Sequence, residues 1–320
     1  MAGPEGGHAI GLDVGGTFLK AARLDEGGRL RNRVHQPVRK ATAEELLDQL
    51  HEAVRSLEAS RPVAAVGVGL PGIVDSATGR VRNAPNVPVL NGIDIGTELQ
   101  RRTGRPSFAE NDANAAGLAE AWLGAGRGSE RMLFVTLGTG VGGALVFGGR
   151  IWGGHSGYAG EIGHIQVDPQ GVPCGCGSWG CLETIAGVPG WGRRAREALR
   201  GSSSAMRGGS ELDPASIVAH AREEDELALA LVDETAQAIG VGVAAALNLL
   251  NLDRVVVGGG VALAGEMLLE RIVEQTRRRT FPHVFADASF RLAELGADAG
   301  VVGAARVAMV GLALASPVQT

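Results

Sequence analysis

The sequence predicts an α/β protein of two domains, on three observations. Apolar runs of strand length alternate along the chain with segments whose apolar residues recur at helical spacing. A glycine-tipped hairpin near the start, DVGGT at Asp13 to Thr17, has a distant counterpart in GTGVGG at Gly138 to Gly143, one in each half. The chain is 320 residues long, more than one core commonly organises.

The elements follow in order. His8 to Val14 is a short apolar strand, Gly15-Gly16-Thr17 a turn, and Phe18 to Leu24 a returning strand. Thr42 with Glu45 forms a capping box ahead of Leu46, Leu47, Leu50, Val54 and Leu57, whose spacing fits one helix face. Ala64 to Leu70 reads as a buried strand that ends at Pro71-Gly72. Phe108 and Ala109 end another strand, and Asp112 to Leu123 is helical. From Met132 the opening pattern returns as the strand MLFVTL, the glycine turn and the strand ALVF. Gly201 to Gly209 reads as a Ser/Gly loop and Glu226 to Leu250 as a long apolar-faced helix. Arg254 to Val257 is a strand running into Gly258-Gly259-Gly260 and a further helix.

Composition excludes several classes. A formal net charge of −5 with mixed signs leaves no basic footprint for nucleic acid. The first residues lack a basic region followed by an apolar run, and the apolar stretch from Ala299 to Ala315 is short and interrupted by Arg306. Neither export nor membrane insertion is expected, and the expected location is the cytoplasm. Three cysteines cannot all pair, which argues against a secreted disulfide framework.

All three cysteines fall within CGCGSWGC, Cys174 to Cys181. With His164 upstream they make a set of one imidazole and three thiolates, a filled tetrahedral zinc site with no position for catalytic water. The alternative is a cluster of reduced, buried thiols. Gly175, Gly177 and Gly180 favour the metal, since ligation at this spacing needs sharp turns. The two glycine hairpins have two readings as well. Each is an ordinary tight turn, or a strand tip whose bare N–H groups, with the Thr17 and Thr139 hydroxyls, approach a phosphate. Neither is followed by GK[ST]. Their duplication favours the phosphate reading, with Gly15, Gly16, Gly138, Gly140, Gly142 and Gly143 at the phosphates, Gly258 to Gly260 leaving room for a nucleoside, and Asp13 placed to hold Mg²⁺.

Taken together, DVGGT, the triplet Glu110-Asn111-Asp112, LGTGVGG, ExxH at Glu161 to His164 and CGCGxxGCxE at Cys174 to Glu183 resemble the ROK family of sugar kinases and repressors, within the actin/hexokinase/Hsp70 superfamily. The resemblance implies a two-lobed actin-like (ribonuclease H-like) fold around an interdomain cleft. Residues 1–120 would form a small lobe, rejoined by a C-terminal helix over 300–320, and residues 121–299 a large lobe carrying the zinc loop. It implies Asp112 as general base, although a carboxylate there also suits a plain helix cap. Asn111, Glu161, His164 and Glu183 would contact the sugar, and Gly72, Asn83 and Asn86 would complete its pocket. The implied reaction is transfer from MgATP to a hexose, glucose first and N-acetylmannosamine second, by a homodimer or homotetramer. A repressor is disfavoured because no helix-turn-helix fits ahead of the first hairpin. Phe18 and Ala144 depart from the common pattern of the glycine turns.

Overall fold

The computed structural model describes residues 8–25, 27–58, 62–76, 78–202, 204–208 and 212–315. The chain forms two compact units. One comprises Met1–Arg127, Gly149–Ala159 and Leu295–Thr320, the other Gly128–Gly148 and Gly160–Glu294. The sequence reading draws its boundaries at 120/121 and 299/300 and does not assign 149–159 to the first unit.

In the first unit β1 (Ala9–Val14), β2 (Phe18–Leu24) and β3 (Leu30–Pro37) form an antiparallel meander, followed by helix α1 (Ala43–Glu58). Then come β4 (Ala65–Leu70), the small hairpin β5 (Ile73–Asp75) and β6 (Arg80–Asn83), helix α2 (Ile95–Thr103), β7 (Ser107–Asn111) and α3 (Asp112–Leu123). The main sheet has the order β3-β2-β1-β4-β7, with β4 parallel to both β1 and β7. Alternation along β1 sends Ile10, Leu12 and Val14 into a core with Leu46, Leu50 and Val54 of α1, and Ala9 to the opposite face. The Thr42 half of the capping box is seen, with the Glu45 N–H donating to Thr42 Oγ1 at 3.2 Å. Strand β3 was not anticipated; its mostly exposed charged residues carry no apolar alternation.

The opposite face is covered by the C-terminal helix Ala299–Ala315, which packs on α3, β1 and β4. It lies so close that a Cβ added at Gly67 would fall 1.7 Å from the Ala304 carbonyl oxygen. The approach therefore depends on strand glycines.

The second unit repeats this motif. β8 (Arg131–Leu137) and β9 (Val141–Phe147) form a hairpin, β8 runs parallel to the strand Arg254–Gly258, and that strand runs parallel to Ser289–Leu292. It also holds helices α4 (Leu182–Ala186), α5 (Val188–Ala198), α6 (Pro214–Arg222), α7 (Glu226–Leu250), α8 (Glu266–Arg277) and α9 (Pro282–Asp287).

Several expectations are corrected. The strand ending at Ala109 continues to Asn111, because pairing with β4 carries it on. A 3-10 helix, Ala205–Gly208, interrupts the expected loop, and residues 203 and 209 lie outside the described set. Another 3-10 helix, Gly260–Ala264, separates the third glycine turn from α8. Among the described residues two helices, Glu226–Leu250 and Gly296–Ala315, have the length and hydropathy of a membrane span, a test that core helices also pass. Both pack within their units, the first on α6 and α8, the second on α3, β1 and β4.

Candidate active site

The first unit presents Asn111 and Asp112 at the junction of β7 and α3. Asn111 is the helix cap, its Oδ1 accepting from the Asn114 N–H at 3.0 Å. Asp112 is thus the first helical residue rather than the cap, and its Oδ1 accepts from the Ala113 N–H at 2.8 Å. The capping explanation for a carboxylate at this position passes to its neighbour. Asn111 Nδ2 donates to the Gly72 carbonyl at 2.8 Å. Gly72 has φ +98°, and a Cβ there would sit 2.1 Å from the Asn83 carbonyl oxygen. Gly72, Asn83 and Asn111 are therefore neighbours, as the sequence reading grouped them. Asn86 stands beside the first glycine turn, where a Cβ on Gly16 would meet its Cβ at 3.6 Å.

Two further residues hold this corner and were missed in the sequence. Glu110 is buried, and its Oε1 accepts from the Asn111 N–H at 2.8 Å and from Asn114 Nδ2 at 3.0 Å. Burial pushes its carboxyl above the ordinary range, while Asn114, the Asn111 amide and Ser76 pull it back. The triplet Glu-Asn-Asp was the available signal. Asn91 Oδ1 accepts from the Ala84 N–H at 2.8 Å and so shapes the loop between Asn83 and Asn86.

Asp13 ends the first hairpin opposite Lys20. Burial raises its carboxyl, and the Lys20 charge lowers it. A Cβ on Gly300 would lie 2.5 Å from Asp13 Oδ2, so a glycine at the head of the C-terminal helix makes room for the carboxylate. Thr17 is exposed at the tip, whereas the Gly15 N–H closes the turn on the Phe18 carbonyl at 2.9 Å. That donor is used inside the loop.

In the second unit the Gly138 N–H closes its turn on the Gly140 carbonyl at 2.9 Å, with Thr139 exposed. Gly142 and Gly143 lie in β9, paired with Thr136 and Val135. Gly143 serves packing, since a Cβ there would fall 2.4 Å from the Gly160 carbonyl oxygen. This close approach seats the short turn that carries Glu161 and His164 against β9. At the third glycine turn a Cβ on Gly258 would press on Ala293 and the Phe134 ring, and one on Gly259 on the Leu137 backbone. Gly260 alone of the three opens on unfilled space.

Glu183, at the start of α4, ties these parts together. Its Oε2 accepts from the Val141 N–H at 3.0 Å, and its Oε1 lies 3.9 Å from Cys174 Sγ. His164 Nδ1 is 3.7 Å from Cys174 Sγ, while Nε2 points the other way, 3.8 Å from Glu161 Oε2. Cys176 and Cys181 Sγ are 3.7 Å apart, and the four ligand atoms of His164, Cys174, Cys176 and Cys181 all lie within 4.8 Å of one another. A tetrahedron with zinc–sulfur bonds of ~2.3 Å has edges of roughly 3.8 Å, so the donor set suits zinc with the widest separations closing by up to about 1 Å. Burial pushes the Cys181 thiol up, so a thiolate there calls for a cation. Burial also raises Glu161, against the pull of His164.

Comparisons with known proteins show what the whole chain is similar to. A family model described as ROK family matches residues 9–310. A glucokinase of Halalkalibacterium halodurans is 38% identical over 306 residues, 92% of each chain. An N-acetylmannosamine kinase of Citrobacter koseri is 34% identical over 303 residues, 93% of this chain and 98% of its own. The crystal structure of a ROK family glucokinase from Streptomyces griseus in complex with glucose and AMPPNP superposes with a TM-score of 0.80. It is 34% identical and is matched over 95% of this chain and 100% of its own.

Proposed function

This chain belongs to the ROK family, and on that premise we propose that it transfers the terminal phosphoryl group of ATP to a hexose, with glucose taken at its 6-hydroxyl. The observation that carries the reading is the Asn111–Asp112 corner. A carboxylate sits in the first turn of α3, and its neighbour is clamped to the Gly72 carbonyl.

Asp112 accepts the proton of the sugar hydroxyl as that oxygen attacks the γ-phosphorus. The new O–P bond forms as the bridging P–O bond breaks, and ADP leaves with the electron pair. Asn111 keeps a second Nδ2 hydrogen for the sugar, since only one is committed to Gly72. Glu161, the Nε2 side of His164 and Glu183 bind further hydroxyls, with Gly72, Asn83 and Asn86 completing the wall. Gly16, Thr17 and Thr139 meet the phosphates, and Gly260 leaves space for the nucleoside. Asp13 would hold Mg²⁺ to neutralise phosphate charge, and His164 with the three cysteines would hold zinc to fix the shape of the sugar loop.

Glucose is preferred over N-acetylmannosamine because the short spacing from His164 to Cys174 and the Glu-Asn-Asp triplet match the glucokinase branch. The test is ADP release by the purified protein with and without each sugar. Asp112→Asn should lower kcat by about 10²-fold or more while glucose binding persists. Near-normal turnover in that variant refutes the base assignment, and a higher kcat/KM for N-acetylmannosamine than for glucose refutes the sugar.

A further inference from the structure

The strap that follows β3 runs back along the first glycine hairpin and is fastened to it. The Val38 N–H donates to the Thr17 carbonyl at 2.9 Å. Gln49 of α1, only 1% exposed, reaches out of the core to hold the strap at two points. Its Nε2 donates to the Pro37 carbonyl at 2.8 Å and its Oε1 accepts from the Arg39 N–H at 2.8 Å. A buried amide with both ends committed is a costly group to misplace, so the backbone from Pro37 to Arg39 is fixed relative to the hairpin. The next residue is Lys40, and its ammonium donates to the Gly16 carbonyl at 2.6 Å.

We infer that Lys40 is a phosphate-binding residue of the reaction, its ammonium meeting the β- and γ-phosphates of ATP at the first glycine hairpin; the inference rests on the kinase reading above. An ammonium has three donors, and the Gly16 carbonyl takes one. The other two stand at a loop tip where Thr17 is exposed and the neutral side chain of Asn86 lies beside Gly16. The turn needs a cation from elsewhere, because its own following side chain is the apolar Phe18, tilted on His35 at 4.8 Å between ring centroids. Lys20 faces Asp13 in β2 and donates to the Ala297 carbonyl at 3.2 Å. Arg39 turns to solvent, where its guanidinium pairs with Glu52 at 2.9 Å. Of Lys20, Arg39 and Lys40, only Lys40 has a described head-group contact at the tip. Charge that develops on the phosphoryl oxygens would be met by a donor already oriented before the nucleotide arrives.

Steady-state kinetics on the full chain test this, with ATP and glucose varied separately. Lys40→Gln is expected to lower kcat/KM for ATP by about tenfold or more, the range of a lost hydrogen bond to a charged group, while KM for glucose stays within about twofold. Lys40→Arg should recover part of the loss. Arg39→Gln removes the same charge one residue away and should stay within about twofold of wild type in every parameter. An unchanged kcat/KM for ATP in Lys40→Gln overturns the inference, as does an equal loss in Arg39→Gln. The wild-type enzyme separately tests the underlying reading, since failure to release ADP in a sugar-dependent way defeats the kinase assignment whatever the variants do.

Discussion

Gly140→Ala offers a direct test of how the second unit is built. The φ of Gly140 lies outside the left-handed region, so alanine strains no backbone. Its Cβ, however, would stand 2.3 Å from Glu183 Oε2 and 3.2 Å from Glu183 Cδ. The carboxylate has to retreat by about 1.1 Å to reach ordinary contact at 3.4 Å, which breaks its 3.0 Å bond from the Val141 N–H. A charge-assisted hydrogen bond of this kind contributes about 1.5–3 kcal/mol, so the loss in kcat/KM for glucose should be roughly ten- to a hundredfold if Glu183 binds the sugar from this position. The assay is a double-mutant cycle with Glu183→Ala. Once the carboxylate is gone, Gly140→Ala has nothing to displace and should cost less than about twofold. If the alanine is equally harmful in the Glu183→Ala background, its effect does not run through Glu183. If the single variant retains wild-type kcat/KM for glucose, the glycine is not what positions the carboxylate.

Two other outcomes follow from the same structure. Purified protein should contain about one zinc per chain, and Cys176→Ser should lower the zinc content, the Tm and glucose affinity together; active enzyme free of zinc by elemental analysis refutes the site. Glu110 holds its proton more tightly folded than unfolded, because burial raises its carboxyl above the ordinary value of 4.5. Its contribution to stability is therefore greatest below that value and declines as pH rises through the raised folded range. Glu110→Gln keeps an acceptor for the Asn111 N–H and Asn114 and carries no charge. The variant's Tm relative to wild type should climb with pH across that window, and parallel curves refute the assignment.

Much of this protein was legible in one dimension, wherever the determining interaction is local. The helices Asp112–Leu123 and Glu226–Leu250 match the structure to the residue, since their apolar content and capping residues act within a turn or two of the chain. The Thr42–Glu45 box is of the same kind. The histidine and three cysteines could be grouped because their short spacing confines them to neighbouring turns of the chain. Tertiary structure decided what depends on distant segments. Strand β3 exists because β2 offers it a partner, and its own residues give no alternation to read. Which glycines are packed against and which face open space was equally hidden. Gly143 and Gly258 are glycines because Gly160 and Phe134 approach them, whereas Gly260 faces open space. Asn111 caps α3 with its Oδ1, and its Nδ2 is committed to the Gly72 carbonyl, 39 residues earlier. Lys40 acquires its position from Gln49, a polar side chain inside an apolar helix face whose purpose appears only when the strap is folded over it. Periodicity and caps are written along the chain, but the partner of a buried polar group is set by which segments the sheet brings together, and that information is not local.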